Sequence, residues 1–235
     1  MDMELVNKKI ASYILWLKFY SPIVYYHLPT LDAIISYCLA IEHARGEGQF
    51  TQFCKPQAIT GKDLGLNSLD KVIIHKGGAF GVPASSFFQP VGESHDFLDS
   101  WKKRWDSESA HYADFSRGAR KVNTASGEFR AYNMPLPAHT VDAGYFAFIG
   151  NGEKVVQLIK DNIIGIGKKV NEGFGWIDKI ELKNSSLGWK DILKMRPVPM
   201  FLAENHGIQG GRVKICGWKP PYWDIRNICE CVVPV

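Results

Sequence analysis

A chain of 235 residues with 46% hydrophobic content can bury one good core, or one core with a large insertion, but two fully independent domains would be cramped. Its formal charge of +4 is unevenly divided, because residues 1–100 hold 8 Lys+Arg against 10 Asp+Glu and residues 101–235 hold 20 against 14. This localised excess is typical of a protein that contacts a polyanion along one surface, and equally of a solvated surface.

The cysteine content argues against a disulfide framework and a zinc ribbon, because the number is odd and no C-x-x-C pair occurs. The five are Cys38, Cys54, Cys216, Cys229 and Cys231. The last three cysteines, together with His206, could in principle form a zinc site. Cysteines at alternating positions of a terminal strand, however, face the same side without any metal. We therefore expect no metal and no cofactor. The start of the chain resembles neither a signal peptide nor a membrane span, so we expect a cytoplasmic protein without membrane contact.

The first predicted elements are a strand and a helix. Residues 10–20 are rich in aromatic and β-branched side chains, which predicts a largely buried strand. A helix is predicted from Leu31 to about Ala44, with Thr30 as its N-cap. We interpret the aromatic residues Tyr13 and Phe19 of this first strand as core residues rather than as a platform for stacked bases.

The middle of the chain predicts shorter elements. They are short strands at 71–75 and near 84–89, a short amphipathic helix or turn at 95–106, and two strands at 128–133 and 143–149 that form a long hairpin. A helix at 153–162 and a strand at 176–182 follow. Residues 188–235 show no clear periodicity, and we interpret them as an extension packed on the domain formed by residues 1–187. Without the insertion, the order strand, helix, strand, strand, helix, strand predicts an α+β, ferredoxin-like fold with an antiparallel sheet.

A glycine-rich loop between the last predicted helix and strand reads I-I-G-I-G-K-K-V-N-E-G-F-G-W over residues 163–176. Glycine permits a positive φ and the close approach of another backbone, and the paired lysines suggest that this backbone carries phosphates. The Walker and dinucleotide-binding loops run strand, loop, helix, which is the opposite order. Lys169 also occupies the position where a Walker loop needs Ser or Thr. The sequence thus argues against a nucleotide-hydrolysing or dehydrogenase site.

Several motifs together resemble the RAMP superfamily, the ferredoxin-like subunits of CRISPR effector complexes, whose hallmark is such a loop. Besides the loop, they are S-P-I-V at 21–24, L-P-T-L-D-A-I-I-S-Y-C-L-A at 28–40, G-E-F-R-A-Y-N-M-P-L-P-A-H at 127–139 and R-P-V-P-M at 196–200. The chain most resembles the Cas-five-type subunit of type IV systems, the Csf-three family.

The resemblance implies a non-catalytic subunit for defence against foreign DNA, which caps the 5′ handle of the guide RNA and adjoins a Cas-seven-type backbone subunit and a large subunit. Contact with target DNA is left open. The loop would contact handle phosphates, and an inserted thumb at about 107–141 would reach the guide, with Met134, Leu136 and Pro137 as its apolar tip. The implied RNA-binding residues are Gly165, Gly167, Lys168, Lys169, Gly173, Gly175, Arg117, Arg120, Lys121, Arg130 and His139.

Two other functions remain open. The first is a metal-independent endoribonuclease that matures the guide, which needs a histidine acid or base and a cation near the phosphate. Its candidates are His27, His75 and His139, and the sequence pairs none of them with a second catalytic group. The second is a general single-strand-binding protein outside CRISPR, which would keep the sheet and lose the partners.

Overall fold

The computed structural model describes residues 10–46, 66–76, 81–92, 95–103, 123, 125–126 and 130–234. Its strands are β1 (Ala11–Phe19), β2 (Ile23–Val24), β3 (His75–Lys76), β4 (Val82–Pro83), β5 (Gln89–Val91), β6 (His95–Lys103), β7 (Tyr132–Thr140), β8 (Ala143–Gly150), β9 (Ile177–Asn184), β10 (Val198–Pro199), β11 (Arg212–Gly217) and β12 (Ile228–Val233). Its α-helices are α1 (Leu31–Gly46), α2 (Gly152–Asn162), α3 (Trp189–Leu193) and α4 (Met200–His206). Helices and antiparallel sheets thus coexist, as the sequence predicts.

The central sheet has four antiparallel strands in the order β5-β8-β1-β9. Helix α1 follows β1 in the chain and α2 follows β8. In the sheet, β8 lies between β1 and β5, and β1 lies between β8 and β9. Each strand, helix, strand unit therefore encloses a strand of the other unit, which is the split β-α-β arrangement.

One face of the central sheet packs on α1 and α2 to form the main core. Alternate side chains of β1, namely Leu15, Leu17 and Phe19, are buried there, because successive strand residues point to opposite faces. Helix α1 contributes Leu31 and Ile35, and α2 contributes Val155, Leu158 and Ile159. Tyr13 is partly buried against the same cluster. The interpretation of Tyr13 and Phe19 as core residues is confirmed.

The ends of the predicted helices follow their local sequence. Thr30 accepts a hydrogen bond from the backbone N–H of Ala33 at 3.4 Å, which confirms its role at the start of α1. Asn151 accepts one from the backbone N–H of Lys154 at 3.1 Å and caps α2. The predicted helices at 31–44 and 153–162 are both confirmed within a few residues.

The predicted helix or turn at 95–106 is wrong over its described residues, 95–103, because β6 pairs along its whole length with β7, from His95 opposite Thr140 to Lys103 opposite Tyr132. The predicted hairpin between 128–133 and 143–149 is also wrong. Strand β7 begins later, pairs with β6 and β2, and shares no sheet with β8. The helical spacing of apolar residues in 95–106 is overridden by a partner that the local sequence does not contain.

The predicted short strands are displaced. Residues 66–71 form a 3-10 helix, so β3 begins only at His75, and β5 begins at Gln89, where the predicted strand was expected to end. The predicted insertion at 107–141 also needs correction at its end, since Leu136, Ala138 and Val141 are buried. Leu136 therefore packs inward and is no apolar tip, while Met134 is exposed.

The C-terminal residues form a second sheet in the order β10-β12-β11, although their sequence shows no periodicity. A buried polar cluster joins this part to α1. Arg196 donates to the carbonyl oxygens of Pro83 (2.8 Å) and Trp218 (2.5 Å) and lies 3.4 Å from the carboxylate of Asp32. Tyr222 donates to the same carboxylate at 2.6 Å. Burial raises the pKa of the Tyr222 hydroxyl, so this donor stays protonated.

Candidate nucleic-acid interface

The glycine-rich loop lies against the segment that contains β2. The backbone N–H of Lys168 donates to the carbonyl oxygen of Val24 at 2.7 Å, and that of Gly175 donates to Pro22 at 2.8 Å. The loop also closes on itself, because the N–H of Ile166 donates to Gly175 at 3.0 Å. The loop thus continues the edge of the sheet that β2, β7 and β6 form.

The loop's glycines are required mainly by this docking. A Cβ on Gly175 would lie 2.0 Å from the carbonyl oxygen of Ile166, and one on Gly167 would lie 2.7 Å from that of Val24; both residues also have a positive φ. Gly165 is similarly close to Gly175. At these three positions the approaching backbone belongs to the chain itself. Gly173 differs, since a Cβ there would meet nothing within 4 Å.

The two lysines of the loop have different surroundings. The ammonium nitrogen of Lys168 lies 4.2 Å from the ring centroid of Tyr26, and both residues are exposed. The ammonium of Lys169 instead forms an ion pair with Glu172 at 2.7 Å, and Lys169 has a left-handed φ of 63°. Lys168 is therefore the better placed of the two for an external anion.

The loop, β2 and β7 are held together by a small apolar cluster. Val24, Leu136 and Ala138 are buried, and Phe174 of the loop packs against them. The hydroxyl of Tyr26 donates to the carbonyl oxygen of Pro135 on β7 at 2.6 Å. Lys168, Tyr26 and β7 consequently share one surface, which we call the loop surface.

His139 lies inside this arrangement. Its Nδ1 is 2.7 Å from a carboxylate oxygen of Asp96 on β6, and its Nε2 is 3.4 Å from the carbonyl oxygen of Tyr25. The ring stacks on that of Tyr25, with centroids 4.1 Å apart. Burial, followed by the charge of Asp96, raises the pKa of Tyr25. No partner for His139 is evident among its neighbours in sequence, but the fold brings Asp96 to it from 43 residues away.

The other predicted residues are described only in part. Arg130 is exposed just before β7, and the seven-residue rise along that strand from Tyr132 to His139 spans about 23 Å. Arg117, Arg120 and Lys121 lie outside the described residues, as does Cys54. His27 is exposed after β2, and His75 begins β3. Within the described part of the chain, Lys168, Lys169 and His139 thus come together, and Arg130 lies at the far end of β7.

Sequence reasoning missed Tyr26 and Asp96 as members of this surface. The run Tyr25-Tyr26-His27 after a predicted strand end was a weak signal for Tyr26, but its contact with Lys168 crosses most of the chain. Asp96 was hidden because the sequence predicted a helix or turn there. A carboxylate can only be assigned to His139 once β6 and β7 are paired.

Among the described residues, no group of three or more His, Cys, Asp or Glu side chains is arranged to hold a metal ion. Cys229 and Cys231 have sulfur atoms 3.8 Å apart, while His206 instead contacts the ring of Trp189. In the same part of the chain, no helix is long and apolar enough to cross a membrane.

Comparison with known proteins gives a family. The family model for CRISPR type IV associated protein Csf3 matches residues 110–234, more than half of the chain. No curated protein matches. Among solved structures, the chain is similar to one in the cryo-EM structure of the Type III-B Cmr-beta bound to cognate target RNA, with 14% identity and a TM-score of 0.35. That similarity covers 74% of this chain and 61% of the other, so this chain spans less than two thirds of it.

Proposed function

The chain belongs to the family of CRISPR type IV associated protein Csf3, and we propose on this premise that it is a non-catalytic CRISPR RNA-binding subunit. It holds the 5′ handle of the guide RNA on the loop surface and forms one end of the backbone filament. Its partners are then a Cas-seven-type backbone subunit and the large subunit. The observation that carries the proposal is the exposed ammonium of Lys168 beside the ring of Tyr26.

These two side chains match what single-stranded RNA offers. A lysine ammonium neutralises a phosphate, and a tyrosine ring accepts a stacked base. Their distance of 4.2 Å leaves both groups on one surface, while the hydrogen bond from Tyr26 to Pro135 fixes the ring. RNA bound here replaces the contact between Lys168 and the ring with one between Lys168 and a phosphate.

In this proposal the domain is a ferredoxin-like RAMP domain. The glycine-rich loop lies between the last helix and the last strand of the central sheet, where the superfamily has its hallmark loop. The paired strands β6 and β7, nine residues each, form the base of the thumb. Its predicted basic residues Arg117, Arg120, Lys121 and Arg130 reach the first spacer nucleotides of the guide.

The surroundings of His139 support a scaffold over an endoribonuclease. A catalytic histidine held by a carboxylate on one nitrogen must present its other nitrogen to substrate. In His139 that second nitrogen faces the carbonyl oxygen of Tyr25, and the side chain is only 18% exposed. His139 then has a structural role, in which it links β6 and β7 to the residue after β2.

We expect the variants His27→Ala, His75→Ala and His139→Ala to retain guide processing in cells.

The test is the salt dependence of guide-RNA binding, measured by fluorescence anisotropy between about 50 and 200 mM salt. We expect Lys168→Gln to weaken binding. The association constant K should also fall less steeply with salt, with the slope of log K against log salt smaller in magnitude by about 0.7, the value for one contact to a single strand. Lys169→Gln should have a smaller effect because Glu172 already neutralises that ammonium.

Lys190→Gln, at an exposed position on α3, serves as the matched control with the same change of charge. An unchanged slope for Lys168→Gln, or an equal change for Lys190→Gln, would contradict the assignment of the loop surface.

A further inference from the structure

The second face of the central sheet is only partly covered. The residues of β1 that point away from the helices include Trp16 and Lys18, and their register partners on β9 are Glu181 and Lys179. On the β8 side, Trp16 lies opposite Tyr145. A cleft on this face is lined by Trp16, Leu17, Lys18, Ala143, Lys179, Glu181 and Lys183. We call it the sheet cleft.

At the other end of the same face, Ala147, two residues after Tyr145 on β8, is fully buried, and helix α3 contacts β8. The segment before β5 extends the edge of the sheet, because Ser85 forms a bridge with Phe148 and the hydroxyl of Ser86 accepts from the backbone N–H of Ala147 at 2.9 Å. The sheet cleft is thus the part of this face that stays accessible.

The ring of Trp16 lines the cleft, and the ring of Tyr145 lies beside it. The centroids of Trp16 and Tyr145 are 5.1 Å apart, and both side chains are partly exposed. The ammonium of Lys183 lies 5.1 Å from the Trp16 ring. Aromatic rings that keep an accessible face on a sheet are stacking platforms for bases, and they accept every base because each has a π-face.

Three lysines surround these rings and extend into solvent. The side chains of Lys18, Lys179 and Lys183 are 62%, 65% and 57% exposed. Their carboxylate partners are Asp178, 3.9 Å from Lys18, and Glu181, which bridges Lys179 at 2.6 Å and Lys183 at 3.5 Å. The hydrogen bond from Lys179 lowers the pKa of Glu181, so this carboxylate is ionised at neutral pH. Glu181 therefore competes with any anion for two of the three lysines.

We propose that the sheet cleft is a second binding site for single-stranded nucleic acid, distinct from the loop surface. One base stacks on Trp16 next to Tyr145, where it displaces the ammonium of Lys183 from the ring. Lys18, Lys179 and Lys183 then contact the adjoining phosphates. The site shares no residue with the loop surface and needs neither a guide handle nor a partner subunit.

The proposal predicts opposite changes in affinity when two neighbouring charges are removed. Lys179→Gln removes a phosphate contact and weakens binding. Glu181→Gln releases two ammonium groups from a competing carboxylate and tightens binding by a few-fold. A face that is merely solvated would respond to neither change.

The experiment measures binding of the full chain to fluorescently labelled oligouridylate and oligothymidylate at low salt. All variants carry Lys168→Gln, so that the phosphate contact proposed for the loop surface is absent from each of them and differences between them report on the sheet cleft. We expect Trp16→Ala to weaken binding about tenfold, because one base loses its stacking partner. Loss of affinity in Trp16→Ala for either oligonucleotide supports the site, and a preference for oligouridylate indicates contact with the 2′-hydroxyl.

Lys160→Gln, at an exposed position on α2 in the helical layer, is the control for charge and should bind as the parent does. Because Trp16→Ala alters a half-buried residue, Lys179→Gln and Glu181→Gln on the exposed strand β9 keep the test independent of folding. Unchanged affinity in both of these variants, or loss of affinity in Glu181→Gln, would overturn the proposal.

Discussion

Arg196 is the largest fully buried side chain in the described part of the chain, and it lies at the centre of a polar cluster. Its guanidinium reaches the carboxylate of Asp32, the hydroxyl of Tyr222 and the carbonyl oxygens of Pro83 and Trp218. Such a pair contributes less by attraction than it costs when one partner is removed, because the remaining charge is left buried. Arg196 is therefore a structural residue, despite being a basic side chain in a protein proposed to bind RNA.

We expect Arg196→Met to destabilise the protein by about 3–5 kcal/mol, since Asp32 would remain buried without its counter-charge. Urea unfolding of the full chain measures the change. Arg212→Gln, at an exposed position on β11, is the matched loss of one guanidinium and should change stability by less than about 0.5 kcal/mol. Equal stabilities for the two variants would contradict a structural role for the buried pair.

The cysteine thiols differ in their pKa values. A hydrogen bond involving Cys231 lowers the pKa of Cys216 to about 7, and burial raises the pKa of Cys38 to about 12. A lowered pKa means that the thiolate of Cys216 forms as the pH rises through about 7, whereas Cys38 stays protonated.

We expect iodoacetamide at pH values from about 6 to 8.5 to alkylate Cys216 before Cys38, with a rate that rises around pH 7. Peptide mass spectrometry resolves the two sites. Preferential alkylation of Cys38 would show that the thiol cluster around Cys231 does not activate Cys216.

At the element scale, the loop of residues 163–176 contains two glycines that differ in the space around them. Gly175 has a positive φ and no space for a Cβ, which would lie 2.0 Å from the carbonyl oxygen of Ile166. Gly173 also has a positive φ, but a Cβ there would meet no atom within 4 Å. The two positions therefore separate steric conflict from conformational strain.

Gly173→Ala should cost about 1–2 kcal/mol, the strain of an L-residue in a left-handed conformation. Gly175→Ala should cost clearly more, because the backbone of Ile166 must also move and the loop loses its fit against β2. Thermal unfolding of both variants measures the difference. Equal losses would mean that the loop does not dock as described.

What the sequence predicts at this scale depends on how far each element's partner lies along the chain. Helices α1 and α2 carry their own caps in Thr30 and Asn151, and β1 and β9 carry local strand signals, so all four follow from local sequence. Strand β6 is specified by β7, which lies beyond residues 104–129, and its local spacing of apolar residues favours a helix. The sequence of a segment alone does not predict pairing of this kind.

The same distinction applies to the candidate site. The glycines and lysines of the loop are visible in sequence because they are neighbours. Tyr26 joins Lys168, and Asp96 joins His139, only through β2, β6 and β7. The C-terminal sheet was not predicted because its first strand, β10, has only two residues and β11 is exposed over most of its length, so it lacks an alternating pattern of burial.

At the scale of the whole molecule, a central sheet with two helices on one face carries the loop surface at one side and the sheet cleft on its other face. The buried cluster of Asp32, Arg196 and Tyr222 ties the C-terminal sheet to the first helix. The proposed role as the end of a guide-bound filament needs only the loop surface, and the sheet cleft is a separate site. Strands β6 and β7 extend from this body toward residues outside the described part of the chain.

The central claim is that the loop surface holds the 5′ handle of the guide RNA. Ultraviolet cross-linking within the assembled type IV complex, followed by identification of the joined peptide and nucleotide, measures this contact directly. We predict cross-links from the handle to the peptides that contain Tyr26 and Lys168, and their loss in the Lys168→Gln variant. Handle nucleotides cross-linked only to other subunits, with these two peptides unmodified, would contradict the account.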